Sequence, residues 1–258
     1  MFFKTIDFSK YSSIKIGQPI EVLVVEKGDA IPHDRYLVGG ANNLLISPTP
    51  PPLMILGKEF ATITQEEEML IIGAATPTGR IISYARKHNI AGFEFCAKLP
   101  GTLGGMLAMN AGVKEYEIFN ILHSVKIDGK WVSTKDIEHG YRYAILDGVA
   151  TEAKFEIKEG FSQHLLDTLL SLRTNQPPHP SAGSVFKNPD GDFAGRLIEE
   201  AGLKGMRKGG MQWSPMHANF LINLGGGTFE DAIYLITLAK KEVKKLFGIT
   251  LQEEIKIL

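Results

Sequence analysis

The segment PSAGSVFKNP, residues 180–189, places a small hydroxyl residue, Ser184, among other small residues. Such neighbours let the backbone approach a ligand closely, and the Ser184 hydroxyl offers one exchangeable proton. Lys187 and Asn188 add donors for anionic or amide groups. Clusters of Ser, Gly, Asn and Pro are also typical of ordinary turns, and composition alone favours a turn here. The choice between turn and active-site wall therefore depends on the rest of the chain.

The composition is that of a globular chain of 258 residues, 44% apolar and 22% charged, long enough for two or three subdomains. No run is apolar enough to span a bilayer and no signal peptide is evident, so we expect a cytoplasmic protein. A net charge of −1 without a basic run argues against nucleic-acid and membrane partners. The single Cys96 excludes an intrachain disulfide, and seven scattered histidines predict no metal site.

Short apolar runs bounded by Gly, Pro and Asn predict buried strands in the first third of the chain. These runs are 21–28, 35–40, 43–47, 52–58 and 69–75. A helix is predicted from Pro77 to the turn at 88–89, and a hairpin over 124–133 around Asp128-Gly129. An alternating strand follows over 151–160.

Helices dominate the last third. Asp192 is predicted to cap a helix that Gly202 ends, and Thr228 to cap a longer helix that Gly248 ends. An order of strands, then mixed elements, then helices indicates an α+β protein rather than a regular alternation of strand and helix. The Pro-rich segments 47–53 and 176–180 are the predicted joints between domains.

Two glycine-rich segments, VGGANNLLIS (38–47) and LPGTLGGMLAMNAG (99–112), lie beside predicted strands. Backbone N–H groups that side chains leave uncovered form anion nests, so these segments could hold a pyrophosphate. Neither segment matches GxGxxG or GxxxxGK[ST], so a nucleotide would have to be held by a fold other than the familiar ones. A third segment, NLGGGTFE (223–230), is better explained as a connection and helix cap.

Seven segments, in this order and spacing, resemble the UDP-N-acetylenolpyruvoylglucosamine reductase (MurB) family of peptidoglycan synthesis. They are GGANNLLIS (39–47), GFEFCAKLPGTLGGMLAMNAG (92–112), GYRY (140–143), PSAGSVFKNP (180–189), AGRLIEEAGLKG (194–205), HANFLIN (217–223) and FGITLQEEIKIL (247–258). The resemblance implies an α+β FAD enzyme, with a two-subdomain flavin-binding unit of the vanillyl-alcohol-oxidase type and an α+β substrate-binding domain. The expected domains are 1–55 with the tail 249–258 returning to it, 56–172, and 173–248.

The reaction that the resemblance implies is a pair of hydride transfers. NADPH would reduce a noncovalently bound FAD, and the reduced flavin would then reduce the enolpyruvyl group of a UDP-N-acetylglucosamine. Ser184 matches the family's proton donor, Arg142 its active-site arginine and Glu254 its C-terminal acid. Without that match, Arg142 and Glu254 would be interpreted as surface charges.

The resemblance also implies contacts with each ligand. Flavin contacts are expected from Gly39, Gly40, Asn42, Asn43, Leu44, Gly101, Thr102, Gly104, Gly105 and Asn110. Substrate contacts are expected from Tyr141, Lys187, Asn188 and His217. His217 is explained equally well as a hydrogen-bonded structural residue, and Arg173 is first a solvated charge and only second a diphosphate contact.

Some positions depart from the family's pattern. Ala41 stands where a Gly is usual, and if that position requires a positive φ, Ala41 strains the first flavin segment. Ala144 replaces a usual Ser beside Arg142. No inserted tyrosine loop is evident, so the chain resembles the family's shorter, second type. Glu254 lies four residues from the end, and its role requires a tail that is tied into a sheet.

Two alternatives stay open. One is a different FAD oxidoreductase of the same fold, acting on another alcohol or sugar. The other is a noncatalytic nucleotide-sugar-binding module, against which the joint presence of Ser184, Arg142 and Glu254 argues. We expect a monomer whose partners are the UDP-sugar and NADPH.

Overall fold

The computed structural model describes residues 1–172, 174 and 176–258. Arg173, the possible diphosphate contact, lies outside the described residues. The chain divides into two compact units, to which separate segments contribute. Unit 1 comprises Met1–Lys4, Val22–Gly40 and Pro52–Thr174, and unit 2 comprises Thr5–Glu21, Ala41–Pro51 and 175–258.

Strands are numerous and mostly short. In chain order they are β1 (Phe2–Asp7), β2 (Pro19–Val25), β3 (Tyr36–Leu37), β4 (Leu44–Leu45), β5 (Leu53–Leu56), β6 (Ile63–Glu66), β7 (Met69–Gly73), β8 (Gly112–Val113), β9 (Tyr116–Glu117), β10 (Leu122–Ile127), β11 (Lys130–Ser133), β12 (His139–Gly140), β13 (Tyr143–Ala144), β14 (Ala150–Glu156), β15 (Ser181–Ser184), β16 (Arg207–Lys208), β17 (Met211–Trp213), β18 (Phe220–Asn223) and β19 (Lys256–Ile257). The α-helices are α1 (Phe8–Tyr11), α2 (Thr78–Lys87), α3 (Leu103–Ala108), α4 (Ile118–Ile121), α5 (Gln163–Ser171), α6 (Ala194–Glu200) and α7 (Phe229–Phe247).

Unit 1 is built on an antiparallel sheet with strand order β11-β10-β14-β7-β6. The β10–β11 hairpin turns through Asp128 and Gly129, whose φ angles are 45° and 80°. Two consecutive positive φ angles fit a type I′ turn, for which Asp-Gly is a preferred pair, so the hairpin prediction is confirmed. Strands β2, β5 and β3 pair in parallel in that order.

The core of unit 1 lies between its antiparallel sheet and two helices. Ile81 of α2 and Leu107 of α3 are buried with Val125 and Phe155 of the sheet. Helix α2 begins directly after Pro77, as predicted, because a proline suits the start of a helix but not its interior. Removing these apolar surfaces from water is the main driving force that holds α3 in place.

Unit 2 has its own antiparallel sheet, with strand order β15-β18-β17-β16. Helices α6 and α7 share one core with Trp213 of that sheet, which is fully buried. Thr228 and Asp231 form a capping box at the start of α7, and Gly248 ends the helix at a φ of 72°. Both ends of α7 are therefore where the cap residues predicted them. Strand β19 pairs in parallel with β4.

The α+β class is confirmed, but the predicted start of α6 is wrong. Its N-cap position is held by Phe193, which makes no side-chain capping bond. Asp192 instead pairs its carboxylate with Arg196, while Asn188 Oδ1 accepts a hydrogen bond from the N–H of Ala194 at 3.1 Å. Asp192 Oδ1 accepts instead from the N–H of Phe193 at 2.7 Å, one residue before the helix, so Asn188 supplies the cap.

The predicted division into 1–55, 56–172 and 173–248 stays a prediction. Residues 1–55 contribute to both compact units, and the break near 174 falls close to the predicted joint at 176–180. Helix α5 was not anticipated from the sequence. Among the residues described, no helix is both long and apolar enough to cross a bilayer.

Candidate active site

The two glycine-rich segments touch within unit 1, through Gly39 and Thr102. A Cβ atom added to Gly39 would lie 2.8 Å from Thr102 Oγ1, a distance that real Cβ atoms do not adopt. Gly104 packs closely on Ala74. A Cβ atom added to Gly104 would lie 3.2 Å from the Ala74 carbonyl oxygen. The glycines here allow backbone segments to approach one another.

The N–H groups of the second segment are largely used inside the protein. Gly105 N–H donates to Thr102 Oγ1 at 3.4 Å, which caps α3, and Gly104 N–H donates to the carbonyl of Ala74 at 2.8 Å. The N–H donors of Gly104 and Gly105 are therefore already bonded within the protein. That Gly101, Thr102, Gly104 and Gly105 contact the flavin stays a prediction, with close packing as their observed role.

Ala41 adopts the left-handed conformation, with a φ of 51° and 3% exposure. Its carbonyl oxygen accepts a hydrogen bond from Ser13 N–H at 3.2 Å. An L-residue in this conformation costs about 1 kcal/mol relative to glycine. Strain in the first glycine-rich segment was expected if Ala41 required a positive φ, and Ala41 does have a positive φ.

The rest of the first segment is tied to the chain's end within unit 2. Asn43 Nδ2 donates to the carbonyl oxygen of Glu254 at 2.9 Å. The N–H of Lys256 donates in return to the carbonyl of Asn43 at 2.9 Å. Leu44 is buried in β4, where it pairs with Lys256. Asn43 and Leu44 thus have structural contacts beside their predicted contact with flavin.

Asn110 lies at 1% exposure, and its side-chain amide makes three hydrogen bonds. Its Oδ1 accepts from Phe119 N–H at 3.2 Å, while Nδ2 donates to Glu117 Oε2 at 2.7 Å and to the carbonyl of Gly140 at 3.1 Å. An amide can make few bonds beyond these three. The flavin contact predicted for Asn110 stays a prediction, and its observed bonds organise the protein instead.

Arg142 is half-buried rather than a solvated surface charge. Its side chain is 20% exposed, its Nη2 donates to the carbonyl of Gly112 at 3.2 Å, and its Nη1 lies 3.9 Å from Glu117 Oε1. The guanidinium also stacks on Tyr141, 5.1 Å from the ring centre. The backbone of Arg142 has a φ of 61°. A non-glycine residue held in this conformation is typical of functional sites.

Ser184 ends a bulged strand. Ser181 lies opposite Ile222 while Ser184 lies opposite Phe220, so β15 has one residue more than its partner β18 over this stretch. Gly183 occupies the bulge with a φ of 82°. Bulges redirect the side chain that follows them, and Ser184 remains partly exposed.

The tail that carries Glu254 is tied into sheet structure, as its predicted role requires. Glu254 N–H donates to the carbonyl of Val185 at 2.8 Å, directly beyond Ser184. The neighbouring Glu253 bridges Phe186 and pairs its carboxylate with Lys240 at 2.6 Å. The candidate proton donor and the candidate acid therefore lie on hydrogen-bonded backbone segments.

Asn219 was not anticipated, although it stands inside the HANFLIN segment. It is 3% exposed, and its amide bonds both backbone groups of Phe186: Oδ1 accepts from N–H at 3.0 Å and Nδ2 donates to the carbonyl at 2.8 Å. Its own carbonyl accepts from Val185 N–H at 2.8 Å. Asn219 thus clamps the segment that follows Ser184. The only sequence signal was an asparagine between buried apolar residues.

The predicted substrate residues have uneven support. Asn188 caps α6, as described above. His217 Nδ1 accepts from Asn219 N–H at 3.3 Å, and burial lowers the pKa of the imidazole. These contacts favour the structural interpretation of His217 in its neutral form. The Lys187 side chain is partly exposed.

The predicted residues fall into two sets. In unit 1 lie Gly39, Gly40, Gly101, Thr102, Gly104, Gly105, Asn110, Tyr141 and Arg142. In unit 2 lie Asn42, Asn43, Leu44, Ser184, Lys187, Asn188, His217 and Glu254. Within the described part of the chain, no cluster of His, Cys, Asp and Glu suits a metal ion.

Comparison with known proteins identifies close relatives. The family model for the C-terminal domain of UDP-N-acetylenolpyruvoylglucosamine reductase matches residues 175–258. Proteins with that name from Helicobacter hepaticus and Helicobacter pylori are 48% and 45% identical to the chain, over 98% of it and 98% of their own lengths. The crystal structure of UDP-N-acetylenolpyruvylglucosamine reductase (MurB) from Thermus caldophilus superposes with a TM-score of 0.87 at 29% identity, covering 100% of this chain and 99% of that one.

Proposed function

The chain belongs to the UDP-N-acetylenolpyruvoylglucosamine reductase family, and we propose that it performs the family's reduction with noncovalently bound FAD and with NADPH as the hydride donor. The observation that carries the activity is the 48% identity to a family member over 98% of both chains. The family resemblance of the seven sequence segments is thereby confirmed. The reaction reduces the enolpyruvyl group of a UDP-N-acetylglucosamine to give UDP-N-acetylmuramate, a precursor of peptidoglycan.

The glycine-rich segments fit a large, flat cofactor with a pyrophosphate. Gly39 and Thr102 bring the two segments into contact, and a side chain at position 39 would collide with Thr102. In our proposal Gly39, Gly40 and residues 101–105 of unit 1 hold the FAD. When bound, FAD accepts hydride from NADPH and passes it to the substrate.

Arg142 would bind the carboxylate of the enolpyruvyl group. As the double bond takes up hydride, negative charge develops toward that carboxylate and must be stabilised. A guanidinium presents two parallel donors that match a carboxylate, and partial burial strengthens the attraction compared with bulk water. The 20% exposure of the Arg142 side chain and its stacking on Tyr141 support this role.

Ser184 would donate the proton that completes the reduction. Ser184 is partly exposed at the end of a strand that is bulged at Gly183, and Asn219 clamps the segment that follows it. A proton donor needs such fixed placement, because general acid catalysis depends on hydrogen-bond distance to the reacting atom. Glu254, held by its backbone bond to Val185, would help to polarise the charged intermediate.

The UDP portion would be bound by residues that supply donors. Lys187 offers a cation for phosphate, and neutral His217 offers Nε2–H, because its Nδ1 already accepts a bond. Tyr141 and Asn188 are proposed as further contacts. A monomeric state and a cytoplasmic location remain predictions.

Absorbance and turnover test the proposal. Purified protein reconstituted with FAD should show the oxidised flavin spectrum. NADPH should reduce that flavin once, and continued oxidation of NADPH should require the enolpyruvyl UDP-sugar. Mass spectrometry should find one UDP-N-acetylmuramate for each NADPH consumed. Turnover of an alcohol or another sugar without the enolpyruvyl substrate would favour a different oxidoreductase, and flavin-free protein that binds UDP-sugar without turnover would favour a binding module.

A further inference from the structure

Two polar residues of unit 1, Asn110 and Glu117, form a network that no step above uses. Asn110 is 1% exposed, and its amide makes three hydrogen bonds to protein groups. With its oxygen and nitrogen both held, the side chain has one orientation. The shortest of its bonds, 2.7 Å, goes to Glu117 Oε2.

The two oxygens of the Glu117 carboxylate have different neighbours, Asn110 and Arg142. Asn110 Nδ2 donates to Oε2 at 2.7 Å, and Oε1 lies 3.9 Å from Arg142 Nη1. The side chains of Glu117 and Arg142 are 22% and 20% exposed, so water screens this pair less than a surface pair. At this distance the carboxylate attracts the guanidinium without accepting a hydrogen bond from it.

The backbone around Arg142 depends on the same groups. Asn110 also donates to the carbonyl of Gly140, two residues before Arg142. Arg142 itself has a φ of 61°, a backbone conformation that most side chains disfavour. Gly112, the acceptor for Arg142 Nη2, pairs with Glu117 across the β8–β9 hairpin. A Cβ on Gly112 would lie 2.8 Å from Glu117 Cα, so the hairpin closes only around glycine. One hairpin thus supports the guanidinium at two points.

We propose that Glu117 is a positioning residue, held by Asn110, that orients the Arg142 guanidinium toward the carboxylate of the enolpyruvyl substrate. This inference rests on the proposed function. Glu117 itself does not touch the substrate in this proposal. Its charge matters because it orients the guanidinium in one direction. A guanidinium binds a carboxylate well only when its two parallel N–H donors face it, so a rotated guanidinium binds the carboxylate more weakly.

The test is the Glu117→Gln variant, with Glu115→Gln as control because Glu115 is exposed in the same hairpin. Stopped-flow absorbance separates reduction of the flavin by NADPH from its reoxidation by the enolpyruvyl UDP-sugar. In Glu117→Gln we expect reoxidation slower by roughly 10- to 100-fold, the usual cost of misplacing a reacting group, with FAD content and reduction by NADPH near wild type. Glu115→Gln should match wild type throughout.

A double-mutant cycle with Arg142→Lys checks that Glu117 acts through the arginine. If it does, Glu117→Gln adds little to the slowing already caused by Arg142→Lys, whereas independent effects would multiply and overturn the proposal. Reoxidation at the wild-type rate, or equal slowing of both half-reactions, would also overturn it.

Glu117→Asp is the second variant, for the case that Glu117→Gln does not fold. Because Glu117→Asp keeps the charge, its reoxidation should be slowed to an intermediate extent. A wild-type rate of reoxidation in Glu117→Asp refutes the role. Wild-type protein that the enolpyruvyl substrate does not reoxidise would reject the proposed function itself.

Discussion

The side-chain amide of Asn43 donates a 2.9 Å hydrogen bond to the backbone carbonyl of Glu254, 211 positions later in the chain. The carbonyl of Asn43 also accepts a bond from Lys256 N–H, so one residue holds the tail on both sides of Ile255. A residue proposed to contact flavin therefore also fixes the backbone that carries a proposed catalytic acid. This bond explains how a glutamate close to the chain terminus acquires a defined position.

Gly39→Ala should weaken FAD binding. The new Cβ would lie 2.8 Å from Thr102 Oγ1, so the two glycine-rich segments would have to move apart. We expect at least a tenfold rise in the FAD dissociation constant, which corresponds to about 1.4 kcal/mol, measured by flavin fluorescence during titration. Gly79→Ala is the control, because nothing lies within 4 Å of its added Cβ. Equal FAD affinity in the two variants would contradict the placement of FAD at Gly39.

Ala41→Gly should stabilise the protein, since it relieves the left-handed strain at a φ of 51°. The relief of about 1–2 kcal/mol is offset by the greater freedom of glycine in the unfolded chain, leaving a gain of roughly 0.5–1 kcal/mol. Urea denaturation of the apoprotein measures the free energy of unfolding. Ala144→Gly, in a β-strand without positive φ, should instead destabilise the protein. A loss of stability in Ala41→Gly would remove strain as the explanation.

The sequence predicted local backbone features but not the contacts between residues that meet only in the folded chain. Local signals succeeded where one residue type suits one backbone conformation, as for Asp128-Gly129 and for Thr228 at the start of α7. The Asp192 side chain bonds Arg196 and the N–H of Phe193 rather than a helical N–H, and a local sequence pattern does not decide among these partners.

The same limit applies to the candidate site. Ser184, Arg142 and Glu254 were found through a family resemblance, but their supports were not. Asn219 clamps Phe186 and Asn110 fixes Glu117, and each pairing depends on the folded chain rather than on sequence spacing. In the second segment, the packing of Gly104 against Ala74 was likewise not visible in the sequence.

The pKa of His217 predicts a pH dependence of stability. Burial lowers the pKa of His217 in the folded protein, so the unfolded chain takes up a proton more readily as the pH falls. Stability is therefore complete above the unfolded pKa, near 6.5, and decreases as the pH falls below it. Urea denaturation should be measured from pH 7.5, about one unit above the unfolded pKa, down to pH 5. The free energy of unfolding should decrease less over this range in His217→Gln than in wild type. Exposed His164→Gln is the control, and an unchanged pH slope in His217→Gln would refute the assignment.

Ser184→Ala should separate the two half-reactions. If the hydroxyl acts only on the substrate, NADPH should still reduce the flavin at a rate near wild type. Reoxidation by the enolpyruvyl UDP-sugar should slow by roughly 100-fold or more, the usual cost of a lost general acid. Ser181→Ala, at the other end of the same bulged strand, is the matched control in stopped-flow absorbance. Equal slowing of both half-reactions in Ser184→Ala would indicate a structural role.

Glu254→Gln tests the acid closest to the chain terminus. The backbone bonds of Glu254 to Val185 and Asn43 do not involve its carboxylate, so the substitution should leave the tail in place. If the charge helps to stabilise the transition state, turnover should fall by about 100-fold while the substrate KM changes little.

Glu253→Gln is the neighbouring control and has a different expected effect. Its carboxylate pairs with Lys240 at 2.6 Å, and loss of this partly exposed pair should cost at most about 1 kcal/mol of stability with no loss of turnover. The reoxidation rates of the two variants, measured side by side, distinguish a catalytic charge from a structural one. Because both residues lie on the same tied segment, a difference between them cannot arise from fraying of the tail. Indistinguishable rates would remove Glu254 from the mechanism and leave Arg142 and Ser184 as its proposed catalytic residues.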